Sequence, residues 1–165
     1  MNELCNAKII IFGLVEPKSM STNRADFRGL LNLAIEKESA DKGTLQRFNP
    51  AKNSLEVIAS KGFTEEFLRH FRLVRPFDSS CCGRAFGVGS TIVINDVEFD
   101  EGFRPNLEIA RSEGFKAVKS MPIFNAAGKK LGVLSVHFAE PKFNWDFKRS
   151  EIILPTLAAA LQENP

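Results

Sequence analysis

The sequence has almost no excess of charge of either sign, because 22 basic side chains are balanced by 20 acidic ones and leave a formal net charge of +2. A protein that binds nucleic acid or an anionic membrane through its overall field carries a clear basic excess. We therefore expect neither nucleic acid nor a membrane among the partners.

Long hydrophobic runs are also missing. The longest run near the start, Ile9 to Val15, follows a single Lys8, and it is far shorter than the roughly 18 to 20 residues that a membrane-spanning helix needs. No small-residue cleavage site of the kind found in secretion signals follows the run. These absences predict a cytoplasmic protein.

Cysteine is scarce, and its spacing is not that of the usual cysteine sites. Cys5, Cys81 and Cys82 form an odd set without a C-x-x-C pair, which fits reduced thiols better than a disulfide framework. Cys81 and Cys82 are adjacent, and neighbouring cysteines bridge only by straining the peptide between them. We predict two reduced thiols at the start of a helix.

The chain is long enough for one well-covered core, with 165 residues of which 44% are apolar. Residues 1–24 are predicted to be an N-terminal lead-in and linker, and residues 25–165 a single domain. For residues 1–15 we expect an extra helix at a dimer interface, with an added strand as the alternative.

Hydrophobic periodicity and turn residues predict an α+β fold. Helices are expected over residues 26–39, 64–72, 81–87, 106–111 and 144–163. Strands are expected over residues 44–48, 55–60, 91–97, 115–124 and 130–139. Pro155 lies inside the last predicted helix and should kink it.

Four stretches follow one another in a characteristic order. They are Ala40-Asp41-Lys42-Gly43-Thr44-Leu45-Gln46, Ala59-Ser60-Lys61-Gly62-Phe63, Cys82-Gly83-Arg84-Ala85 with the later Asp96-Val97, and residues 114–123 with 132–138. In this order and spacing the stretches resemble the GAF domain, the ligand-binding relative of the PAS fold found in bacterial sensor proteins. The resemblance covers about residues 26–163.

The resemblance implies a GAF/PAS-like architecture with a central antiparallel sheet of five to six strands. The terminal helices are then expected on one face, where they often form a homodimer, and the inserted helices and loops over a ligand pocket on the other. It implies a non-catalytic sensor of an unidentified small molecule that acts through a kinase or another output protein.

Strand alternation selects the pocket residues, because successive side chains point to opposite faces of a sheet. The last strand has one uniformly apolar set that suits the terminal helices, Leu134, Val136 and Phe138. The other set is then expected in the pocket, Val133, Ser135 and His137. By resemblance, Val118 and Ser120 line the same site, and Thr44, Gln46 and Phe48 share that face in the first strand.

The polar members of this set form the predicted binding cluster, Gln46, Ser120, Ser135 and His137. Few hydrogen bonds in an otherwise apolar pocket are typical of a site that fixes a ligand's orientation. The alternative is that these groups satisfy one another or hold an ordered water.

Individual residues carry further alternatives. His137 is interpreted as a hydrogen-bonding contact, a pH-sensitive group or an axial haem ligand, or else as a satisfied buried histidine. Cys82 at a helix N-terminus is expected to have a lowered thiol pKa, or else to be a small packing residue. His70 is expected to face solvent.

Further residues are expected at the edges of the pocket. Three rings are expected to roof it, Phe86, Phe99 and Phe103. The resemblance adds Asp96, at the end of the following strand, to the ligand-binding set, and Arg84 is a candidate anion contact.

Other members of the GAF family offer competing functions. The free methionine-(R)-sulfoxide reductases also use a Cys-Gly-x-Ala cysteine, but Glu98 to Asn106 lacks the second reactive cysteine that such an enzyme needs. Tetrapyrrole receptors usually carry a Cys-His pair, whereas Cys82 precedes Gly83. Phe99-Asp100-Glu101 occurs without the rest of a cyclic-nucleotide signature. A ligand-free dimerisation module is the remaining alternative, and no cofactor is identified.

Overall fold

The computed structural model describes residues 25–165. Five strands form one antiparallel sheet in the order β2-β1-β5-β4-β3. The strands are β1 (Lys42–Asn49), β2 (Ser54–Lys61), β3 (Ile92–Ile94), β4 (Ala117–Phe124) and β5 (Lys130–Phe138). The predicted α+β fold with an antiparallel sheet is confirmed.

Helices cover both faces of the sheet. They are α1 (Phe27–Glu38), α2 (Glu65–His70), α3 (Cys81–Val88), α4 (Leu107–Glu113) and α5 (Ile153–Glu163), with a 3₁₀ helix over Glu101–Asn106 before α4. Helices α1 and α5 pack on one face in a core that includes Leu31 and Leu157. Helices α2, α3 and α4 pack on the other face in a second core that includes Phe67 and Ile109.

Side-chain alternation in β5 divides the sheet between these two cores. Leu134, Val136 and Phe138 belong to the core under α1 and α5, whereas Val133 belongs to the core under the inserted helices. The strand assignment made from the sequence is therefore correct. At Gly132, β5 lies very close to β1. A Cβ at this position would clash with the backbone oxygen of Gln46, so the contact requires glycine.

Local capping explains where several helices begin and end. The Asp26 carboxylate accepts a hydrogen bond from the amide of Gly29 at the start of α1, 2.9 Å away. Thr64 caps α2 and Ser80 caps α3. Gly114 adopts a left-handed φ of 73° and ends α4.

The predicted helix over residues 144–163 is wrong in its first half, because α5 begins only at Ile153. The preceding segment is tied to the end of β3 by the Trp145 indole, which donates to the Asn95 side chain over 2.7 Å. Pro155 therefore occupies the first turn of α5, where backbone N–H groups have no partner within the helix. Pro155 therefore does not lie in the middle of a helix, and the expected kink does not arise.

Two other predicted elements, a strand and a helix, are shorter in the structure than expected. The strand expected over residues 91–97 forms only at Ile92–Ile94, and α2 ends at His70 instead of residue 72. Within residues 25–165, no helix has the length and apolar composition needed to cross a bilayer.

Candidate functional site

A small internal cavity lies between the sheet and the inserted helices. Its volume is about 20 Å³. This is enough for about one water molecule, which needs at least about 10–15 Å³. The sheet contributes Thr44, Gln46, Val57, Val118, Ser120, Ser135 and His137. The helices and loops contribute Phe67, Phe71, Ser80, Cys81, Cys82, Phe103 and Phe115.

The turn before α3 brings two thiols to this cavity. The Ser80 hydroxyl accepts from the amide of Gly83 at 3.0 Å, and Asp78 accepts from the amide of Ser80 at 2.9 Å. Position 83 has no room for a side chain, because a Cβ there would lie 2.6 Å from the carbonyl oxygen of Arg75. The Cys-Gly-Arg-Ala stretch therefore includes glycine for reasons of packing.

Two of the four predicted polar residues satisfy each other. Ser120 and Ser135 face one another across the β4–β5 pair, and their hydroxyl oxygens are 2.7 Å apart. Both are fully buried or nearly so. For Ser120 and Ser135, the structure agrees with the alternative that the polar groups hydrogen-bond to each other and not to a ligand.

The other two predicted polar residues have unused atoms. Among residues 25–165, neither Oε1 of Gln46 nor Nδ1 of His137 has a hydrogen-bond partner, although both atoms are buried. A buried polar atom without a partner costs about 1–3 kcal/mol. These two atoms are therefore the places where a guest molecule or an ordered water would gain most.

His137 is surrounded by phenylalanine rings that keep water away from it. Its ring centre lies 4.8 Å from that of Phe63, 4.8 Å from that of Phe115 and 5.9 Å from that of Phe67, each meeting it edge to face. Burial, assisted by the positive charge of Lys42, lowers the pKa of His137 to about 3. The imidazole is therefore neutral near physiological pH, which favours a hydrogen-bonding contact over a pH-sensitive group.

A polar contact joins the elements that close the cavity. Glu113, at the end of α4, forms an ion pair with Lys42 of β1, the oxygen and nitrogen being 3.3 Å apart. It also accepts hydrogen bonds from the hydroxyl and the amide of Thr64, the cap of α2. The buried Glu113 carboxylate thus holds the start of α2, the end of α4 and the start of β1 together beside His137.

The expected lowering of the Cys82 thiol pKa is wrong. Burial raises the pKa of Cys82 to about 11 and that of Cys81 to about 12, because a thiolate loses its hydration in an apolar core. Cys82 lies 3.3 Å from the Ser80 hydroxyl oxygen. Its role in the structure is that of a small packing residue that lines the cavity.

Several residues predicted at the pocket lie elsewhere. Phe86 stacks on Phe48 with ring centres 4.4 Å apart, outside the cavity lining. Asp96 lies two residues after the end of β3, where it accepts from the amide of Glu98. Phe99 is 85% exposed and does not roof the cavity.

Arg84 is not available as the expected anion contact. Its guanidinium donates to both carboxylate oxygens of Asp100, at 3.2 and 3.3 Å. Of the three proposed roofing rings, only Phe103 lines the cavity. His70 is exposed, as expected, and also contacts the side chain of Asn106 at 2.9 Å.

Three rings line the cavity that were not among the predicted pocket residues, two from α2 and its end and one from just before β4. Phe67 and Phe71 are four residues apart, so they lie on one side of α2 and point together into the cavity. Phe115 lies two residues before the start of β4 and contacts His137. The helical spacing of the first two indicated a buried face, but the sequence carried no sign of which face of the sheet α2 would cover.

Metal-binding side chains are the next feature of the described residues to consider, because histidine and cysteine both line the cavity. Among the described residues, no group of three or more His, Cys, Asp and Glu side chains is arranged to hold a metal ion. Although His137, Cys81 and Cys82 all line the cavity, they do not form such a group.

An antiparallel sheet with a small cavity under inserted helices defines a class of small α+β domains. A domain of a two-component sensor histidine kinase protein from Sinorhizobium meliloti is similar, with a TM-score of 0.65 and 17% identity over 82% of this chain and 88% of that one. A GAF domain region of a membrane protein from Geobacter sulfurreducens has a TM-score of 0.65 and 19% identity, with the same coverage.

A free methionine-R-sulfoxide reductase from Neisseria meningitidis has the same fold, with a TM-score of 0.61 and 18% identity over 82% of this chain and 73% of that one. A comparison of the sequence with curated proteins finds no match. The GAF domain profile matches residues 28–161, and the chain belongs to the GAF domain family. Domains of this family are typical of sensory signal-transduction proteins.

Proposed function

We propose that this chain is a non-catalytic regulatory domain that binds a small uncharged molecule in the cavity beneath α2 and α3. The observation that carries the proposal is the pair of unused polar atoms, Oε1 of Gln46 and Nδ1 of His137, in a space whose lining is largely apolar and uncharged. A ligand with a hydrogen-bond donor would satisfy an atom that now costs free energy.

The lining supports an uncharged ligand. Among the described residues that line the cavity, none carries a charged side chain once His137 is neutral. A charged guest would lose its hydration without a compensating ion pair, which is costly in an apolar interior. The small volume further favours a compact molecule, or one whose entry moves α2 together with Phe67 and Phe71.

The sheet provides a path from this cavity to the terminal helices. Ser120 and Lys119 are neighbours in β4, one on the cavity side and the other in contact with Glu38 of α1. We propose that ligand binding changes the position of α1 and α5, and that these helices form a homodimer and act on a kinase or another output protein.

The chemistry of the thiols supports a role without catalysis. Both buried thiols have a raised pKa, so the nucleophilic thiolate is rare near neutral pH. The segment from Glu98 to Asn106 contains no cysteine that would complete a reductase site. We also propose that residues 25–165 form the domain, that residues 1–24 are a lead-in and linker, and that the protein is cytoplasmic.

Thermal shift with short amides, alcohols, diols and ureas tests the proposal. At about 100 times its Kd, a ligand of the folded state stabilises it by about 2.7 kcal/mol. We expect one of these compounds to raise the melting temperature of the wild type but not of Gln46→Leu. Gln162→Leu, the same change at an exposed position of α5, should respond as the wild type does.

Mass spectrometry of the protein as purified complements this assay by detecting any small molecule that co-purifies. If no compound binds, and Gln46→Leu behaves like Gln162→Leu throughout, the ligand-free dimerisation module is the correct description. If Cys82→Ser abolishes a robust thiol-dependent reduction of free methionine sulfoxide, the domain is an enzyme and the proposal is wrong.

A further inference from the structure

The outer edge of β2 is open over half of its length. Strand β2 is the first strand of the sheet, and β1 pairs with its inner side. At the start of β2, Leu55 and Val74 exchange two backbone hydrogen bonds of 2.8 and 3.4 Å on the outer side. Among residues 25–165, no strand pairs with the outer side of residues 57–61. Such an edge is a template for one more strand.

A groove of about 650 Å³ follows this open edge. It lies between the two layers of helices, since Arg28 of α1 lines it from one side and Leu68 of α2 from the other. The apolar lining comes from β2, from α2 and from the turn after α2, and includes Val57, Ile58, Ala59, Leu68 and Leu73. An apolar groove beside unpaired backbone groups suits an extended apolar segment, which gains both burial and hydrogen bonds. We call it the β2 groove.

The chain itself contains a segment of matching chemistry. Residues 1–24 lie outside the part of the chain that the structure describes, and within them residues 9–15 read Ile-Ile-Ile-Phe-Gly-Leu-Val. β-Branched and aromatic residues favour strands, and a short, continuous apolar run is typical of a strand covered on both faces. The sequence by itself predicts an extra helix for residues 1–15, with an added strand as the alternative. The open edge of β2 favours the strand.

The connection to α1 is long enough for this pairing. Arg28 lies in the first turn of α1 and lines the β2 groove, so the chain that precedes α1 leads away from the groove itself. Residues 16–24 span at most about 30 Å when extended. The open part of β2, residues 57–61, is only about 17 Å long. Residues 9–15 therefore reach the whole open edge without any movement of α1.

The position of α1 also selects the direction of the added strand. The Arg47 guanidinium lies 5.6 Å from the ring centre of Phe27, and Arg47 is opposite Glu56 in the β1–β2 pair. Helix α1 thus begins at the Glu56 end of the open edge. A strand antiparallel to β2 ends there, which places Glu16 beside Arg28. Within residues 25–165, Arg28 forms no ion pair, so its charge is complementary to that of Glu16.

A second copy of the chain fits this edge less well. Strand β2 contains an extra residue, Ile58, which has no partner in β1. Such a bulge increases the local twist of a strand, and twisted edges of two identical domains pair poorly with each other. We propose that residues 9–15 pair with residues 57–61 of the same chain as an antiparallel sixth strand and cover the β2 groove. The proposal does not depend on a ligand in the cavity around His137.

NMR of the full chain tests the pairing directly. Short contacts between backbone protons of residues 9–15 and residues 57–61 are expected in the uniformly labelled protein. A mixture of separately ¹⁵N- and ¹³C-labelled chains should not show these contacts between differently labelled chains, because the pairing lies within one chain. The experiment therefore separates the added strand from a second copy.

Hydrogen exchange of the β2 amides provides the second test. Neighbouring amides of a strand point to opposite sides, so Ile10→Pro/Ile11→Pro removes a donor toward β2 in either register. We expect amides among residues 57–61 to exchange about tenfold faster or more, because the edge then opens locally. Ser21→Pro/Thr22→Pro is the matched control in the connection and should leave their exchange unchanged. Amides of β3, at the other edge of the sheet, should exchange alike in all three proteins.

Three outcomes would overturn the proposal. Helical contacts within residues 9–15 would mean that the extra helix is correct. Contacts to residues 57–61 that arise only between differently labelled chains would mean that a second copy occupies the edge. Equal exchange of residues 57–61 in the wild type and in Ile10→Pro/Ile11→Pro would mean that the edge is unpaired. The contacts in the wild type decide the question even where the proline variant does not fold.

Discussion

His137 shows at the scale of one residue how burial sets chemistry. Three phenylalanine rings contact the imidazole, and Nδ1 has no partner among residues 25–165. The ring is a neutral polar group in a largely apolar space. Its Nδ1 atom can therefore form one hydrogen bond with a bound molecule, as donor or as acceptor. The same burial makes the protein's stability depend on pH through this residue.

We predict that His137 destabilises the fold as the pH falls. Its folded pKa of about 3 lies below the ordinary value of 6.5, so the unfolded state binds the proton first and stability is lost below about pH 6.5. Between pH 7 and pH 5 the loss through this group is about 2 kcal/mol. Urea unfolding of wild type and His137→Gln at both pH values measures it as the difference between the two proteins.

The other histidine provides the control for this measurement. His70→Gln changes an exposed residue and leaves His137 in place, so it should keep the wild-type pH dependence. Carboxylates titrate equally in all three proteins and cancel. An identical pH dependence in wild type and His137→Gln would contradict the argument.

At the scale of elements, one buried ion pair fixes the terminal helices to the sheet. Lys119 of β4 and Glu38 of α1 are 1% and 3% exposed, with nitrogen and oxygen 3.0 Å apart. Lys119 also donates to the carbonyl oxygen of Asp146, and the Ser150 hydroxyl donates to Glu38. The pair therefore joins α1, β4 and the segment before α5.

Lys119→Met should lower the free energy of unfolding by about 3–5 kcal/mol, because it leaves the Glu38 carboxylate buried without its cation. Lys116→Met is the matched control in the same strand region, where the pair with Glu140 is 50% and 79% exposed. That change should cost about 0–1 kcal/mol. Chemical denaturation measures both, and equal costs would show that the buried pair is not holding the helices.

At the scale of the whole molecule, the sheet separates two layers of helices. The face under α2, α3 and α4 encloses the cavity, whereas the face under α1 and α5 carries the terminal helices. Leu33 of α1 is 42% exposed and is an apolar group available to a second copy of the chain. This arrangement supports the proposed homodimer through the terminal helices.

We predict that Leu33→Glu weakens this homodimer at least about tenfold, since a residue central to an interface costs about 2 kcal/mol when replaced. Leu73→Glu changes a residue that is 56% exposed but lies outside α1 and α5, and it should leave association unchanged. Analytical ultracentrifugation of the two variants and the wild type measures the dissociation constants. A monomeric wild type, or equal effects of both changes, would contradict a dimer through α1.

The local patterns of the sequence determined most elements and the division of the sheet into two faces. The alternation along β5 is enough to separate Val133, Ser135 and His137 from Leu134, Val136 and Phe138, because neighbouring side chains in a strand must point in opposite directions. The caps at Thr64 and Ser80 depend on neighbours a few residues away, so they too were visible in the chain.

Only the tertiary structure decided how these parts meet. The start of α5 depends on the contact of Trp145 with Asn95, which is 50 residues away. The pKa of Cys82 depends on burial that the helix end alone does not reveal. Likewise, the displacement of Phe86 and the pairing of Arg84 with Asp100 arise from distant contacts. Periodicity reports only the near neighbours of a residue, whereas desolvation and pairing are set by whatever the fold brings against it.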